Sequence, residues 1–257
     1  MKQLKNIVIL FCLILLSACA AQNELLIPNE NDQENRWKLF LTNKIEEKPY
    51  TLQGSFRFGN SENTNRVNYI LWSNGSLPLR VEIMAGVGAS LAKVAENKEQ
   101  ITMYFPQEKR AVIMDNFDEI NPLISMGMPV PISFNEMSFI LRGGFSQIFK
   151  DLTLDNVKLK KTKKDYEQYT YYFSSKKMDG LVQLDKFGKP IYCEVNDEWA
   201  FEISYDEETN LPYKVVISSK LEDYKAILLV KERTFPKKYE ESDLKFELPN
   251  HTEICKN

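Results

Sequence analysis

The chain has 257 residues, which suits one large domain or two small ones, and 43% of them are hydrophobic, which is enough for a sizeable core. This composition excludes a chain that is disordered throughout. The formal net charge of −3 argues against a nucleic-acid-binding protein, because such proteins normally carry a basic excess or stripe.

The N-terminus has the layout of a secretory signal that ends at a cysteine. A short basic region precedes the apolar run 7–16, which is too short to span a bilayer, and small residues follow it. The stretch LSAC at 16–19 resembles the bacterial lipobox, which implies cleavage of residues 1–18 and acylation of Cys19. The alternative is an ordinary signal peptide with an incidental cysteine. Acyl chains hold a protein on a membrane without a spanning helix.

The acylated cysteine and the polar residues up to 33 are interpreted as a tether that lifts the domain off the membrane. Ala20 follows the cysteine, in the place where an aspartate usually means retention in the inner membrane. The expected location is therefore the periplasmic face of the outer membrane, with the protein lipid-anchored through Cys19.

A helix is predicted to begin near Asn31 or Asp32 and to end at Pro49. Its apolar residues recur at helical spacing on one face: Trp37, Phe40, Leu41 and Ile45.

Six short strands are predicted next, from alternating apolar residues and from turn signals such as Asn74–Gly75. They cover 51–59, 66–73, 78–85, 89–97, 100–105 and 109–114. This spacing is typical of an antiparallel sheet or barrel, since no helix pattern lies between the strands.

The segment 127–149 breaks this rhythm. Two prolines favour extended backbone before Ser133, which stands three residues before Glu136 in the spacing of a capping box. Gly143–Gly144 then ends a helix whose apolar stripe consists of Phe134, Met137, Ile140 and Leu141. A short amphipathic helix between two runs of antiparallel strands is expected to lie on the concave face of the sheet.

Strand-forming sequence resumes after residue 150. Seven further strands are predicted at 152–161, 167–175, 180–186, 190–197, 200–208, 211–220 and 223–233. No break in composition divides the chain, so residues 34–257 are expected to form a single, mainly β (α+β) domain.

No constellation of catalytic or metal-binding residues stands out. His251 is the one histidine, so a His-dependent triad or a multi-His zinc site has little to build from. The sequence contains no HExxH, GxSxG or Walker-type loop, and we predict no enzyme, no metal and no cofactor. A hydrolase built on two carboxylates stays open as a third hypothesis, because any pair of acidic residues can meet in space.

Two cysteines remain once Cys12 leaves with the signal and Cys19 carries lipid. Cys193 and Cys255 are expected to form a disulfide that pins the C-terminal tail to the sheet in an oxidising compartment. The alternative is two separate buried thiols.

The order of segments resembles one family. A lipobox, a tether, a helix and six strands precede GMPVP at 127–131 and FNEMSFILRG, as in LolB-like receptors of the LolA–LolB lipoprotein-localisation family. The resemblance covers about residues 50–150, and the C-terminal third matches only in strand rhythm. It implies an incomplete, unclosed antiparallel β-barrel with helices covering its concave side. It also implies an outer-membrane lipoprotein that accepts acylated lipoproteins from a LolA-like periplasmic carrier and passes them to the outer membrane.

In such a receptor, an apolar cavity between sheet and helices would hold the acyl chains. The strand and helix faces offer eleven lining residues: Leu52, Phe56, Phe58, Tyr69, Leu71, Val81, Ile83, Met128, Met137, Ile140 and Leu141. Methionine suits an adaptable lining because its side chain is flexible and polarizable. The alternative for each residue is plain core packing.

The family also uses an exposed apolar residue at a loop tip between two early strands to help membrane insertion. The matching loop here is MAGVGAS at 84–90, and its tip is Val87. Valine stands where the family pattern has leucine, and its smaller side chain inserts less favourably. The alternative is an ordinary hairpin residue.

A second hypothesis is a structural or assembly lipoprotein that uses the same scaffold to bind a protein partner, with the cavity filled by its own side chains. Two interpretations of the basic run 158–164 also stay open. It either meets an acidic partner or anionic lipid through complementary charge, or it is a solvated turn.

Overall fold

A computed structural model describes residues 30–86, 88–114, 121–149, 157–161, 169–174 and 179–256 of the chain. Within these ranges the helices are α1 (Glu30–Thr42), α2 (Pro122–Ser125), α3 (Phe134–Arg142), α4 (Phe145–Ile148) and α5 (Glu241–Leu244). The strands are β1 (Tyr50–Gly59), β2 (Thr64–Ser73), β3 (Leu79–Met84), β4 (Ser90–Glu96), β5 (Ile101–Phe105), β6 (Arg110–Met114), β7 (Val157–Lys161), β8 (Tyr169–Ser174), β9 (Asp179–Leu184), β10 (Pro190–Val195), β11 (Trp199–Tyr205), β12 (Pro212–Ser219), β13 (Lys225–Thr234) and β14 (Glu253–Lys256).

The strands form one hydrogen-bonded sheet in the order β14-β6-β5-β4-β3-β2-β1-β13-β12-β11-β10-β9-β8-β7. Strands β1–β6 are one antiparallel meander, β7–β13 are another, and the antiparallel pairing of β1 with β13 joins them. The short β14 adds to the β6 edge in parallel orientation. Because β14 and β7 are the two edges of the sheet, it is open, and the prediction of an unclosed antiparallel half-barrel is confirmed.

The connection from β6 to β7 crosses the sheet, because the chain leaves beside one edge and returns at the other. Helices α2, α3 and α4 lie in this crossing, and α3 packs against β12. Helix α1 packs against β9 and α4. The helices α2–α4 at the centre of this β-rich chain therefore have a structural role, because they cover the apolar face that the two meanders share.

Helix α1 contributes two aromatic anchors to the core. The Trp37 ring stacks on Tyr171 of β8 at 5.2 Å between centroids, and Phe40 lies 5.5 Å from Phe149. The helix ends at Thr42, earlier than predicted, so Ile45 lies in the following loop and not on the helical face. The Thr42 hydroxyl donates to the Lys38 carbonyl, a side-chain bond of the kind that competes with helix continuation.

Strand β1 contains a bulge between Gln53 and Gly54, where it joins the two meanders. A Cβ at Gly54 would lie 1.8 Å from the carbonyl oxygen of Leu229, so only glycine fits this approach of β1 to β13. The Tyr69 hydroxyl donates to the same carbonyl at 3.2 Å. The bulge thus lets the sheet bend where β1 pairs with β13.

The predicted disulfide is wrong, because nine strands of the sheet lie between Cys193 on β10 and Cys255 on β14, and both thiols are free. Hydrogen bonds hold the C-terminal segment on the outer face instead. The Trp72 indole donates to the Asp243 carbonyl at 2.9 Å, and the Arg80 guanidinium donates to the Lys245 carbonyl at 2.6 Å. Neither strand β14 nor helix α5 was predicted.

Candidate functional site

All eleven predicted cavity residues are buried in a single hydrophobic cluster. These are Leu52, Phe56, Phe58, Tyr69, Leu71, Val81, Ile83, Met128, Met137, Ile140 and Leu141. The cluster joins the inner face of the sheet to α1, α3 and α4. The sequence therefore selected residues that meet in space, and in this structure they pack against one another. Their assignment to acyl binding stays a prediction.

Helix α3 has the predicted capping box and C-terminal stop. The Ser133 hydroxyl accepts from the Glu136 backbone N–H at 3.2 Å, and the Glu136 carboxylate accepts from the Ser133 N–H at 2.8 Å. Gly143 adopts φ 83°, the left-handed conformation that favours glycine at a helix end. The helix is therefore a well-defined unit that begins and ends at signals in its own sequence.

A narrow apolar cavity of about 80 Å³, called the crevice here, lies between α3–α4 and strands β10–β11. Glu136 is the one charged residue among its lining residues. The apolar lining includes Ile140, Phe145, Phe149, Cys193, Phe201 and Ile203. Burial raises the pKa of the Cys193 thiol, so this side chain acts as an apolar group. The crevice is apolar on all its faces except at Glu136.

A wider cavity of about 660 Å³, called the mouth here, adjoins the crevice, since Phe145 and Pro190 line both. It is open on one side. Its walls come from the loop after α1, the end of α3, the turns before β10 and β12, and the end of β13. Four cationic side chains line it: Lys48, Arg142, Lys189 and Arg233. The mouth is thus amphipathic, whereas the crevice is apolar.

The two arginines of the mouth are held by backbone carbonyls. Arg142 donates to the carbonyls of Glu46 and Gly75, at 2.7 and 3.1 Å. Arg233 donates to the carbonyls of Leu141 and Pro212, and burial lowers the pKa of its guanidinium. These contacts join the end of α3 to two loops, to the start of β12 and to β13. Sequence reasoning missed both arginines, because their shared position depends on the sheet order.

A buried carboxyl group lies near enough to α3 for the charge of Glu136 to act on it. Glu96 ends β4 and is buried, and its Oε2 has no hydrogen-bond partner among the described residues. Burial raises the pKa of Glu96 to about 8, and the negative charge of Glu136 adds to this shift. The protonated form of Glu96 is therefore favoured at neutral pH in the folded protein.

Several predicted sites lie outside the described residues, namely Cys19, Val87 and residues 162–164 of the basic run, whose residues 158–161 belong to β7. The structure leaves their roles as predictions. Across the described ranges, no group of three or more His, Cys, Asp or Glu side chains is placed to hold a metal ion. None of α1–α5 is long and apolar enough to cross a membrane.

Solved structures with the same fold include a LolA superfamily protein, a lipoprotein-sorting protein domain and a DUF1329 family protein. A LolA superfamily protein from Nitrosomonas europaea aligns with a TM-score of 0.51 at 9% identity, over 82% of this chain and 94% of its own. A Vibrio parahaemolyticus domain classed as an outer membrane lipoprotein-sorting protein aligns with a TM-score of 0.53 at 10% identity, over 83% and 94%. A DUF1329 family protein from Desulfovibrio piger aligns with a TM-score of 0.54 at 9% identity, over 85% and 97%.

No protein-family model and no curated protein sequence matches the chain. At identities near 10%, the likeness to solved structures establishes the fold, which is that of the LolA superfamily.

Proposed function

We propose that this protein is a LolB-like, outer-membrane-anchored lipoprotein that binds acyl chains of other lipoproteins and helps insert them into the outer membrane. The observation that carries the proposal is the crevice, an apolar space between α3–α4 and the sheet that lies next to the wider mouth. Apolar chains leave water for such a space without any chemical step. The protein is therefore proposed as a binding and transfer protein, not an enzyme.

Binding requires the helices to move. Pockets that hold small ligands measure roughly 300–1,000 Å³, whereas the crevice measures about 80 Å³. Helix α3 begins and ends at its own capping signals, and acyl binding requires it to shift as a unit away from the sheet. The residues released from the core would then form the predicted cavity lining.

The membrane side of the proposal depends on residues outside the described ranges. Cys19 is proposed as the site of acylation, and Val87 as the residue that aids insertion. Cys19→Ser is expected to abolish incorporation of labelled palmitate and to release the protein from membranes. Val87→Glu is expected to leave folding intact and to impair delivery. Unchanged delivery by the folded Val87→Glu protein would remove Val87 from the mechanism.

A transfer experiment tests the function directly. The full protein is reconstituted into vesicles, a LolA-like periplasmic carrier loaded with a labelled lipoprotein is added, and the label that floats with the vesicles is measured. Cargo is expected to reach only vesicles that contain this protein. Cargo that stays on the carrier, with the protein well folded, would contradict the receptor function.

A matched pair of variants ties transfer to the crevice. Ile203→Trp adds volume where Ile203 lines the crevice, and it is expected to reduce transfer. Ile227→Trp makes the same change on β13, where Ile227 is half-buried between the buried Ala226 and Leu228 that face the core. This variant is expected to transfer cargo normally.

The second candidate function is binding of a protein partner on the same scaffold. The observation that favours it is the tight burial of all eleven predicted lining residues. The transfer experiment separates the two functions, since a partner-binding protein would leave the cargo on its carrier. For such a protein, Ile203→Trp would not change the amount of cargo transferred.

A further inference from the structure

The mouth concentrates positive charge on a chain that is acidic overall. Lys48, Arg142, Lys189 and Arg233 line the mouth, and Glu46 is the only acidic residue among its described lining residues. The whole chain has a formal net charge of −3. A local reversal of sign in a concave site indicates a ligand of opposite charge.

Two of these cations have no carboxylate in direct contact, and the negative charge of Asp206 acts on Arg233 only from beyond ion-pair distance. Among the described residues, neither Arg142 nor Arg233 has a carboxylate within ion-pair distance. Their backbone carbonyl partners satisfy donors but leave the charge of each guanidinium in place. Arg142 is buried and Arg233 is half-buried, and removing a charge from water without an ion-pair partner is unfavourable. An anion in the mouth would supply the missing partner, and the guanidinium fork is well matched to carboxylate or phosphate oxygens.

Lys189 places a third cation at the rim. Its ammonium group donates to the Asn210 side chain at 2.8 Å and lies 5.3 Å from the centroid of the Tyr205 ring, which also lines the mouth. An ammonium group held beside an aromatic ring at the edge of an apolar space suits the boundary between a headgroup and a chain.

The mouth and the crevice share two walls, Phe145 and Pro190. We infer that the ligand is an amphiphile with an anionic headgroup, whose acyl chain enters the crevice while its carboxylate or phosphate lies among Arg142, Lys189 and Arg233. The inference rests on the proposed acyl binding and adds a second class of ligand, because the acylated cysteine of a lipoprotein carries no anionic headgroup. An anionic phospholipid and a free fatty acid share this chemistry.

Four probes with one oleoyl chain each separate the headgroup from the chain. These are oleoyl-lysophosphatidylglycerol, oleate, zwitterionic oleoyl-lysophosphatidylcholine and neutral monooleoylglycerol. The full chain, released from membranes in a mild nonionic detergent, is mixed with all four at equal concentration. Native mass spectrometry then reports which probes remain bound.

The bound amount of each anionic probe is expected to exceed that of the zwitterionic and neutral probes by about tenfold. A preference for lysophosphatidylglycerol identifies phosphate as the headgroup, and a preference for oleate identifies carboxylate. Equal binding of all four probes would overturn the inference while leaving the proposed acyl binding intact. Binding of none would overturn both.

Variants locate the preference in the mouth. Arg233→Gln is expected to lose about tenfold in binding of the anionic probes and to bind monooleoylglycerol unchanged, and Arg233→Lys is expected to retain part of the preference. Lys189→Gln removes a charge at the rim of the mouth, and it is expected to lose about threefold in binding of the anionic probes. This variant tests the mouth even if the Arg233 variants fail to fold. Lys225→Gln removes a charge from the opposite end of β13 and is expected to change nothing. A preference that survives in folded Arg233→Gln and Lys189→Gln would also overturn the inference.

Discussion

The guanidinium of Arg142, in the last turn of α3, lies 4.0 Å from the centroid of the Tyr50 ring at the start of β1. The same group donates to the carbonyls of Glu46 and Gly75. One side chain thus ties the C-terminal end of the covering helix to the first strand and to two loops. This end of α3 also borders the mouth, so the contact sets how firmly the helix is held where a ligand would enter.

Replacing Arg142 should loosen this attachment. Arg142→Ala leaves two carbonyls without their donor and removes the cation–π contact, and we expect a loss of about 2–3 kcal/mol in the free energy of unfolding. Arg142→Lys should cost less, because it keeps the charge over the ring. Urea denaturation measures both values. Equal stability of the alanine variant and the wild type would show that the contact does not hold the helix.

Stability should fall as the pH rises through the neutral range, because Glu96 is buried. The pKa of Glu96 is raised from 4.5 to about 8 in the folded state. Between these values the unfolded chain ionises Glu96 while the folded protein keeps it protonated, so the folded state binds more protons. The contribution of Glu96 is therefore neutral below about pH 4.5, becomes increasingly unfavourable up to about pH 8, and levels off above it.

Glu96→Gln removes this dependence. We expect the variant to be more stable than the wild type at pH 7, by on the order of 2 kcal/mol, and equally stable at pH 4. Unfolding free energies at a series of pH values test this, with Glu99→Gln on the exposed turn after β4 as the control. A constant difference between Glu96→Gln and wild type at all pH values would contradict the account.

The N-cap of α3 should control how often the helix frays. Ser133→Ala removes the acceptor for the Glu136 N–H and is expected to cost about 1 kcal/mol. Ser133→Asp keeps an acceptor and should be close to wild type. Hydrogen exchange of the α3 amides should be faster in the alanine variant alone. Equal protection in the two variants would mean that packing, not the cap, holds this end of the helix.

The two free cysteines should differ in reactivity. Cys193 is buried and its pKa is raised by burial, whereas Cys255 is partly exposed on the edge strand β14. An alkylating reagent is expected to modify Cys255 in the native protein and Cys193 only after denaturation. Peptide mapping by mass spectrometry distinguishes them. A Cys193–Cys255 peptide that separates on reduction would contradict the strand order.

Local sequence patterns were sufficient to predict most of the helices and strands. Alternation in β1–β6 and the Ser133–Glu136 spacing each act over a few residues, and the structure confirms both. The four-residue β14 and α5 have too few residues to make a pattern. Ile45 lies in a loop because α1 ends at Thr42, where side-chain bonding to the preceding turn competes with the helix.

Long-range order could not be derived from the sequence. The pairing of Cys193 with Cys255 was predicted because they are the two cysteines left in an oxidising compartment, but the sheet order places their strands far apart. The mouth could not be predicted from the sequence for the same reason. Lys48, Lys189 and Arg233 come from three distant segments and meet only because β1 pairs with β13 and the turn before β10 lies nearby.

Photo-crosslinking tests the central claim, that an acyl chain lies between α3–α4 and β10–β11. A palmitate analogue with a diazirine near its methyl end is bound to the full protein and irradiated, and the labelled peptides are identified with and without excess palmitate. The account predicts competed labelling of peptides that contain Ile140, Phe149 and Phe201 or Ile203, which line the crevice. Labelling confined to the C-terminal segment on the outer face, or labelling that palmitate does not reduce, would contradict it.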